Sequence, residues 1–261
     1  MEEKSMDPPV DHISKLPVPV LQKILSSFLA KDVAQLSTLS KSLNSAWSSL
    51  SYLNFSSKFF YHQGDDDQWI LSENITELVN IVDQILVNRQ NQKISIQKFC
   101  YIHGWINTLV SLNIKELTLS IDTPDDGYNT LPEAIFVAKE LNVLNLQGFK
   151  LELPHNGIKF SSLRVLHLSK TLLSDHFIRA VCESCSDLED LKINECRGLA
   201  SLQIGGTLSK LRSVWLDCLY DLQMVDIVAS NLENLHIDWM LEVIGITACK
   251  SLKRLYLHHL Q

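Results

Sequence analysis

The chain has 261 residues, 46% of them apolar, with 23 lysines and arginines against 30 aspartates and glutamates and a formal charge of −7. That length holds one large domain, or a small one followed by a larger, and the apolar fraction is that of a chain that folds. The moderate, dispersed charge excludes an electrostatic footprint for nucleic acid or an anionic membrane, and no apolar run approaches the roughly 18 residues needed to cross a bilayer.

Residues 1–10 read as disordered, and Glu2 and Glu3 with no apolar stretch behind them exclude a secretory signal. The expected compartment is the cytosol or nucleus, where the six cysteines stay reduced. Pro17 and Pro19 suit the first turn of a helix, where a missing N–H costs little. Apolar residues follow as Val20, Leu21, Ile24, Leu25, Phe28 and Leu29, a pair on every turn. Asp32 is an expected N-cap for a second helix bearing Val33, Leu36 and Leu39. Ser40-Lys41 precedes a third with Leu43, Trp47 and Leu50. Three short helices bury little surface by themselves, so a stripe this wide packs on the chain's own body or on a partner.

The run Asp11-x-Ile13-Ser14-x-Leu16-Pro17-x-x-x-Leu21-x-x-Ile24-Leu25-Ser26, then Lys31-Asp32-Val33-Ala34, Leu39-Ser40-Lys41 and Trp47, resembles the F-box of plant F-box/leucine-rich-repeat proteins. The resemblance covers residues 11–55. It implies a three-helix module that docks on a Skp-family adaptor and, through it, a cullin–RING ubiquitin ligase. The implied adaptor-binding residues are Leu16, Pro17, Val20, Leu21, Ile24, Leu25, Val33, Leu36, Leu43 and Trp47, some of which also hold the helices together. Val18 departs from the family's acidic residue after Leu-Pro. Ser42, Leu43 and Asn44 stand where the family often reads Arg-Trp-Arg.

Residues 56–110 read as a connecting, N-terminal capping region. The segment from His62 to Gln68 reads as a polar loop whose acidic triplet is solvated, Thr76 to Asn88 as a helix, Ile94 to Ile102 as a strand and Trp105 to Leu112 as a short helix. Over residues 111–261 one template recurs, apolar-x-x-apolar-x-apolar. It begins at Ile114, Leu141, Leu163, Leu188, Leu211, Leu232 and Leu252, at intervals of 27, 22, 25, 23, 21 and 20 residues. These are leucine-rich-repeat periods. About seven coils stack into a solenoid with a parallel sheet on its inner face. The overall fold class is therefore α/β, a short three-helix module followed by a repeat solenoid. The same template returns at Leu199, Leu222 and Leu241, so those return limbs are expected to be strands. Ser174-Asp175 is expected to cap a helix carrying Phe177, Ile178, Val181 and Cys185. The segments Leu131-Pro132-x-x-Ile135-Phe136 and Leu188-Glu189-x-Leu191…Cys196-x-Gly198-Leu199 also resemble the repeats of plant F-box/LRR/FBD proteins.

Cys182-x-x-Cys185 has the spacing of half a zinc site, but a tetrahedral site needs two further ligands, and small buried hydrophobes are the better reading for the cysteines. No nucleophile elbow, metalloprotease motif or phosphate loop occurs in the sequence. No catalysis, no metal and no cofactor are expected. Some proteins of the resembled class hold an inositol phosphate. Lys192 and Arg254 are the inferred inner face's cations and stand far apart in the repeat order, so a polyanion is not expected there.

With the template residues inward, the positions between them point to the concave face. The candidate substrate-binding residues are His167, Lys192, Trp215, His236, Arg254, Tyr256 and His258, with Trp215 and Tyr256 as the anchors. The resemblance implies a substrate-recognition subunit of a Skp–cullin–F-box ligase, binding an unknown protein substrate. A ligase-independent repeat scaffold with a degenerate F-box is the alternative. The final template, at Leu252, Leu255 and Leu257, is followed only by His258, His259, Leu260 and Gln261. An uncapped C-terminal coil is therefore expected, and with it self-association through the last strand.

Overall fold

The computed structural model describes residues 13, 15–28, 30–50, 52–54, 61–63, 69–71, 82–87, 98–100, 106–120, 128–238 and 242–258. The chain divides into two compact units, Met1–Val82 and Asp83–Gln261. Among the described residues no helix is long and apolar enough to cross a membrane.

In the first unit three eight-residue helices form: α1 (Val18–Leu25), α2 (Ala30–Ser37) and α3 (Lys41–Ser48). Pro17 occupies the N-cap of α1 with Pro19 in its first turn. Ser40 caps α3, its Oγ accepting from the Leu43 N–H at 3.2 Å. Asp32 is not a cap: α2 begins two residues earlier at Ala30, and Asp32 lies in its first turn, where a carboxylate still favours the helix dipole. A short strand β1 (Tyr52–Asn54) follows, then an antiparallel pair, β2 (Tyr61–Gln63) and β3 (Trp69–Leu71), with His62 opposite Ile70. His62 and Gln63 are thus strand residues, contrary to the loop expected from His62 to Gln68. The acidic triplet lies outside the described residues.

The expected helix over Thr76 to Asn88 is helical at residues 82–87, at the start of the second unit, the rest lying outside the described residues. The expected strand is described only as β4 (Lys98–Cys100), and the next helix as α4 (Ile106–Ser111). Seven five-residue strands then occupy the seven templates: β5 (Glu116–Ser120), β7 (Val143–Gln147), β9 (Val165–Ser169), β11 (Asp190–Asn194), β13 (Ser213–Asp217), β15 (Asn234–Asp238) and β17 (Arg254–His258). Each pairs in parallel with the next, and β4 pairs with β5. The register aligns Leu117, Leu144, Leu166, Leu191, Val214, Leu235 and Leu255 in one apolar ladder. The strand period of two sends these residues to the core and their neighbours to the opposite face. From β5 to β15 both template residues of every strand are buried. In β17 the pattern gives way, and Leu255 is 51% exposed.

The return limbs carry two further parallel sheets. The expected one is β12 (Ser201–Ile204), β14 (Met224–Val228) and β16 (Val243–Thr247); Leu241 lies outside the described residues. The other, β6 (Asn129–Thr130), β8 (Phe149–Leu151) and β10 (Leu172–Leu173), has no template of its own in the sequence. Between the two sheets lies α5 (Asp175–Ser184), capped by Ser174 as expected, with Phe177, Ile178, Val181 and Cys182 buried. Asp175 then holds the next coil, its carboxylate accepting from the Ala200 N–H at 2.8 Å and the Ser201 hydroxyl at 3.0 Å.

Every concave strand from β7 to β13 is followed by a residue with left-handed backbone: Gly148, Lys170, Glu195 and Cys218, with φ of 82°, 48°, 51° and 49°. Each donates its N–H to the last residue of the next strand, as Glu195 does to the Asp217 carbonyl at 3.0 Å. This repeated turn keeps successive strands in step, and so places the rows of side chains described next.

Candidate functional site

The apolar stripe of α1 splits into two. Leu21 and Leu25 point inward and join Val33, Leu43, Ala46 and Leu50 in a buried cluster, with Leu16, Leu36 and Trp47 half-buried against it. Gln22 fastens α1 to the end of α3, donating to the Ser49 carbonyl at 3.1 Å and hydroxyl at 3.0 Å. On the other side, Val20 and Ile24, one turn apart, are 43% and 42% exposed, and Phe28 is exposed beyond them. Pro17 is exposed as well. Of the ten residues implied for adaptor binding, Leu21, Leu25, Val33 and Leu43 therefore build the module's own core. Pro17, Val20 and Ile24 are free to meet a partner. Buried and exposed members share one sequence pattern because a helix this narrow presents both sides within a turn.

On the concave face of the second unit the register sets out three rows across the strands. The middle row runs Thr118, Asn145, His167, Lys192, Trp215, His236, Tyr256. Five of the seven residues inferred for substrate binding stand side by side in it. Arg254 falls in the row towards the strand starts, beside Asn234 and Ser213, and His258 in the row towards the strand ends, beside Asp238 and Asp217.

The middle row is stacked. Trp215 and His236 lie with ring centroids 3.6 Å apart and planes 7° apart, and His236 and Tyr256 lie 4.3 Å and 5° apart. Lys192 Nζ sits 5.2 Å from the Trp215 ring centroid, a cation over a π face. Parallel strands about 4.8 Å apart are what bring successive rings into this contact. Trp215 is nonetheless 39% exposed and Tyr256 46% exposed. Trp215 thus packs on its neighbour and still offers a surface. Desolvation between the two rings holds His236 below the ordinary histidine value, with Lys192 pushing the same way and Asp217 and Asp238 opposing.

The other two histidines stand beside aspartates of neighbouring strands. His167 Nε2 is 3.5 Å from Asp190 Oδ1, and His258 Nδ1 is 3.0 Å from Asp238 Oδ1. Nearer β5 the face is polar, and there Asn145 donates to the Thr118 hydroxyl at 3.0 Å. Along the rim, ion pairs link successive coils: Arg164 grips Glu189 with two hydrogen bonds of 2.9 and 3.0 Å, Lys210 meets Asp187 at 2.7 Å and Lys253 meets Glu233 at 2.8 Å. Exposed pairs of this kind orient side chains more than they stabilise the fold.

Cys182, Cys185 and Cys196 are buried. Burial pushes the first two thiols up to about 12 and Cys196 up to about 11, so at neutral pH they stand as protonated, buried hydrophobes. Cys218 is only half-buried, at the left-handed turn after β13, and does not follow that reading. Among the described residues no group of three His, Cys, Asp or Glu side chains is placed to hold a metal ion. The acidic end of the face, Asp217 and Asp238, was not in the inferred set, because each lies one residue beyond its template. Continuing the alternation by one position finds them.

Two family models match the chain: one described as the At1g61320/AtMIF1 LRR domain, over residues 80–261, and the F-box domain, over residues 13–55. Neither describes an enzyme. Among curated proteins the chain is similar to F-box/FBD/LRR-repeat protein At5g56420 of Arabidopsis thaliana, 28% identical over 72% of this chain and 44% of the relative. It is also similar to F-box/FBD/LRR-repeat protein At1g78750 of the same plant, 28% identical over 71% of this chain and 42% of the relative. FBD-associated F-box protein At1g61320, again from that plant, is 27% identical over 70% of this chain and 42% of its own length. The chain thus spans less than half the length of these relatives.

Proposed function

Because the chain belongs to the At1g61320/AtMIF1 LRR-domain family and carries an F-box match ahead of its repeats, we propose that it is a substrate receptor of a Skp–cullin–F-box ubiquitin ligase. The F-box holds a Skp-type adaptor through the exposed side of α1, with Val20, Ile24 and Pro17 in contact and Leu21, Leu25, Val33 and Leu43 keeping the helices in place. The repeats hold a protein substrate on the concave face, with Trp215 and Tyr256 as anchors. The chain makes and breaks no bond itself. It raises the local concentration of a substrate lysine near a ubiquitin-charged enzyme carried elsewhere in the complex. Cytosol or nucleus is the matching compartment.

The observation that carries this reading is the pairing, in one chain, of an F-box whose α1 leaves an apolar side uncovered with a repeat face bearing exposed, pre-stacked aromatics. Rings held in place before binding lose little conformational freedom when they meet a partner. Reconstitution tests it: the purified chain, a Skp-type adaptor and a cullin–RING core are mixed and separated by size. Co-elution of all components is the expected result. Elution of the chain apart from the adaptor would leave the ligase-independent scaffold.

A further inference from the structure

The concave face is not uniform in charge. At its strand-end edge Glu195, Asp217 and Asp238 gather, with Lys170 near Glu195 and His258 beside Asp238. At its strand-start edge, near β13, β15 and β17, Arg212, Lys253 and Arg254 surround Glu233, whose carboxyl they hold below its usual value, Lys253 most strongly. Between that second edge and the aromatic row lies a groove of about 640 Å³ lined by Ser213, Trp215, Asn234, His236, Arg254 and Tyr256, with Lys253 beside them. The charged side chains lining it are both cations, Lys253 and Arg254.

Lys253 is engaged by Glu233 at 2.8 Å. Arg254 is in no ion pair among the described residues. It stands in register with Asn234 and Ser213 on the two preceding strands, and among the described residues the side chains of these two are likewise in no hydrogen bond. A guanidinium, an amide and a hydroxyl therefore face one groove as uncommitted donors, against a wall of stacked rings.

Resting on the substrate-receptor reading above, we propose that this groove takes an extended substrate segment in which an acidic side chain stands beside an apolar or aromatic one. The carboxylate docks on Arg254, with Ser213 and Asn234 donating to it, and its neighbour packs on Trp215 and Tyr256. Guanidinium and carboxylate match as two parallel hydrogen bonds, and the aromatic wall excludes water from one side of the pair, strengthening it. One free guanidinium suits a single carboxylate and not a polyanion. Asp217 and Asp238 repel a carboxylate from the opposite edge, which fixes the direction in which the segment lies.

The test uses the full chain on an array of synthetic extended peptides. A central position is Asp, Glu, Asn, Gln, Lys or Arg, and its neighbours are Phe, Leu or Ser. Wild type is expected to retain Asp and Glu peptides with a Phe or Leu neighbour at least about tenfold over their Asn and Gln counterparts, the scale of a charge-assisted hydrogen bond. Arg254→Gln is expected to lose that discrimination and Arg254→Glu to prefer Lys and Arg, both with unchanged thermal melting because the side chain is exposed. An acidic preference that survives Arg254→Gln overturns the inference. So does selection of basic peptides by wild type, even if Trp215→Ala abolishes it, but that outcome leaves the receptor reading standing. Retention indifferent to both Trp215→Ala and Arg254→Glu, or no retention by wild type, overturns the concave face as the binding surface and the inference with it.

Discussion

Trp215 and His236, on neighbouring parallel strands, lie face to face with ring centroids 3.6 Å apart and planes 7° apart. Their positions are partners in the sheet register, so the contact follows from the repeat itself and not from a loop conformation. The stack couples an exposed aromatic side chain to a titrating group.

The stack has a signature in pH. Sandwiched between rings, His236 is held below the ordinary histidine value chiefly by desolvation. The unfolded chain therefore takes up this proton at a higher pH than the folded chain does. The group's contribution to stability is complete above the unfolded value near 6.5 and is lost as pH falls through the folded value. His155 is raised by its hydrogen bond to Glu133. In an NMR titration of the histidine rings His236 is expected to titrate below 6.5 and His155 above it. The reverse order would contradict the stacked geometry.

Trp215→Ala removes one wall of that sandwich. An aromatic pair contributes roughly 0.5–1.5 kcal/mol beyond its buried area, so urea unfolding is expected to show a loss of about 1 kcal/mol. The His236 titration is expected to move up towards 6.5 as solvent reaches the ring. A loss above about 3 kcal/mol, the scale of a core truncation, would show that Trp215 is a structural residue and not a surface anchor.

Much of this geometry is legible in the sequence. The spacing from Leu188 to Leu191 to Ile193, repeated coil after coil, dictates a parallel strand with Asp190 and Lys192 outward, and the structure has that strand. Return strands at Leu202 and Val225 follow from the same template. β8 at Phe149–Leu151 does not, because three residues are too few to show a period, and its pairing is decided by neighbouring coils. Burial within the F-box was also hidden. Leu21 and Ile24 are equally apolar, and their separation into core and surface comes from how α2 and α3 pack on α1. The stacking of His236 could not be read either, since it depends on coil-to-coil register and not on any local pattern.

Two glycines discriminate the coil geometry. Gly198 has φ of 81°, and a β-carbon there would lie 2.6 Å from the Leu173 carbonyl oxygen. That carbonyl is backbone, and Leu173 is itself held by a 2.8 Å bond from its N–H to the Arg197 carbonyl. Gly198→Ala is expected to lose roughly 2–4 kcal/mol from strain and overpacking. At Gly245 the added carbon would meet only the Asp226 carboxylate, at 2.7 Å, an exposed side chain that can rotate away. Gly245→Ala is expected to cost less than about 1 kcal/mol. Equal losses in chemical unfolding would contradict the coil packing.

Leu21→Ala empties part of the F-box core, where Leu21 is fully buried. It is expected to lower the stability of the three helices by roughly 2–5 kcal/mol, read as a lower helical transition by circular dichroism. Val20→Ala, on the exposed side of the same helix, is expected to leave that transition within about 0.5 kcal/mol. Matching losses would mean that the two sides of α1 are not divided as described.

The proposed receptor function rests on the exposed side of α1. Its most direct test is the affinity of a Skp-type adaptor for the wild-type chain and for Val20→Asp/Ile24→Asp, measured by calorimetry with helicity checked on both. The wild type is expected to bind, and the double variant to stay helical while losing about a hundredfold or more in affinity, the scale of two interface anchors. Equal binding by both folded proteins, or none by the wild type, would contradict the assignment.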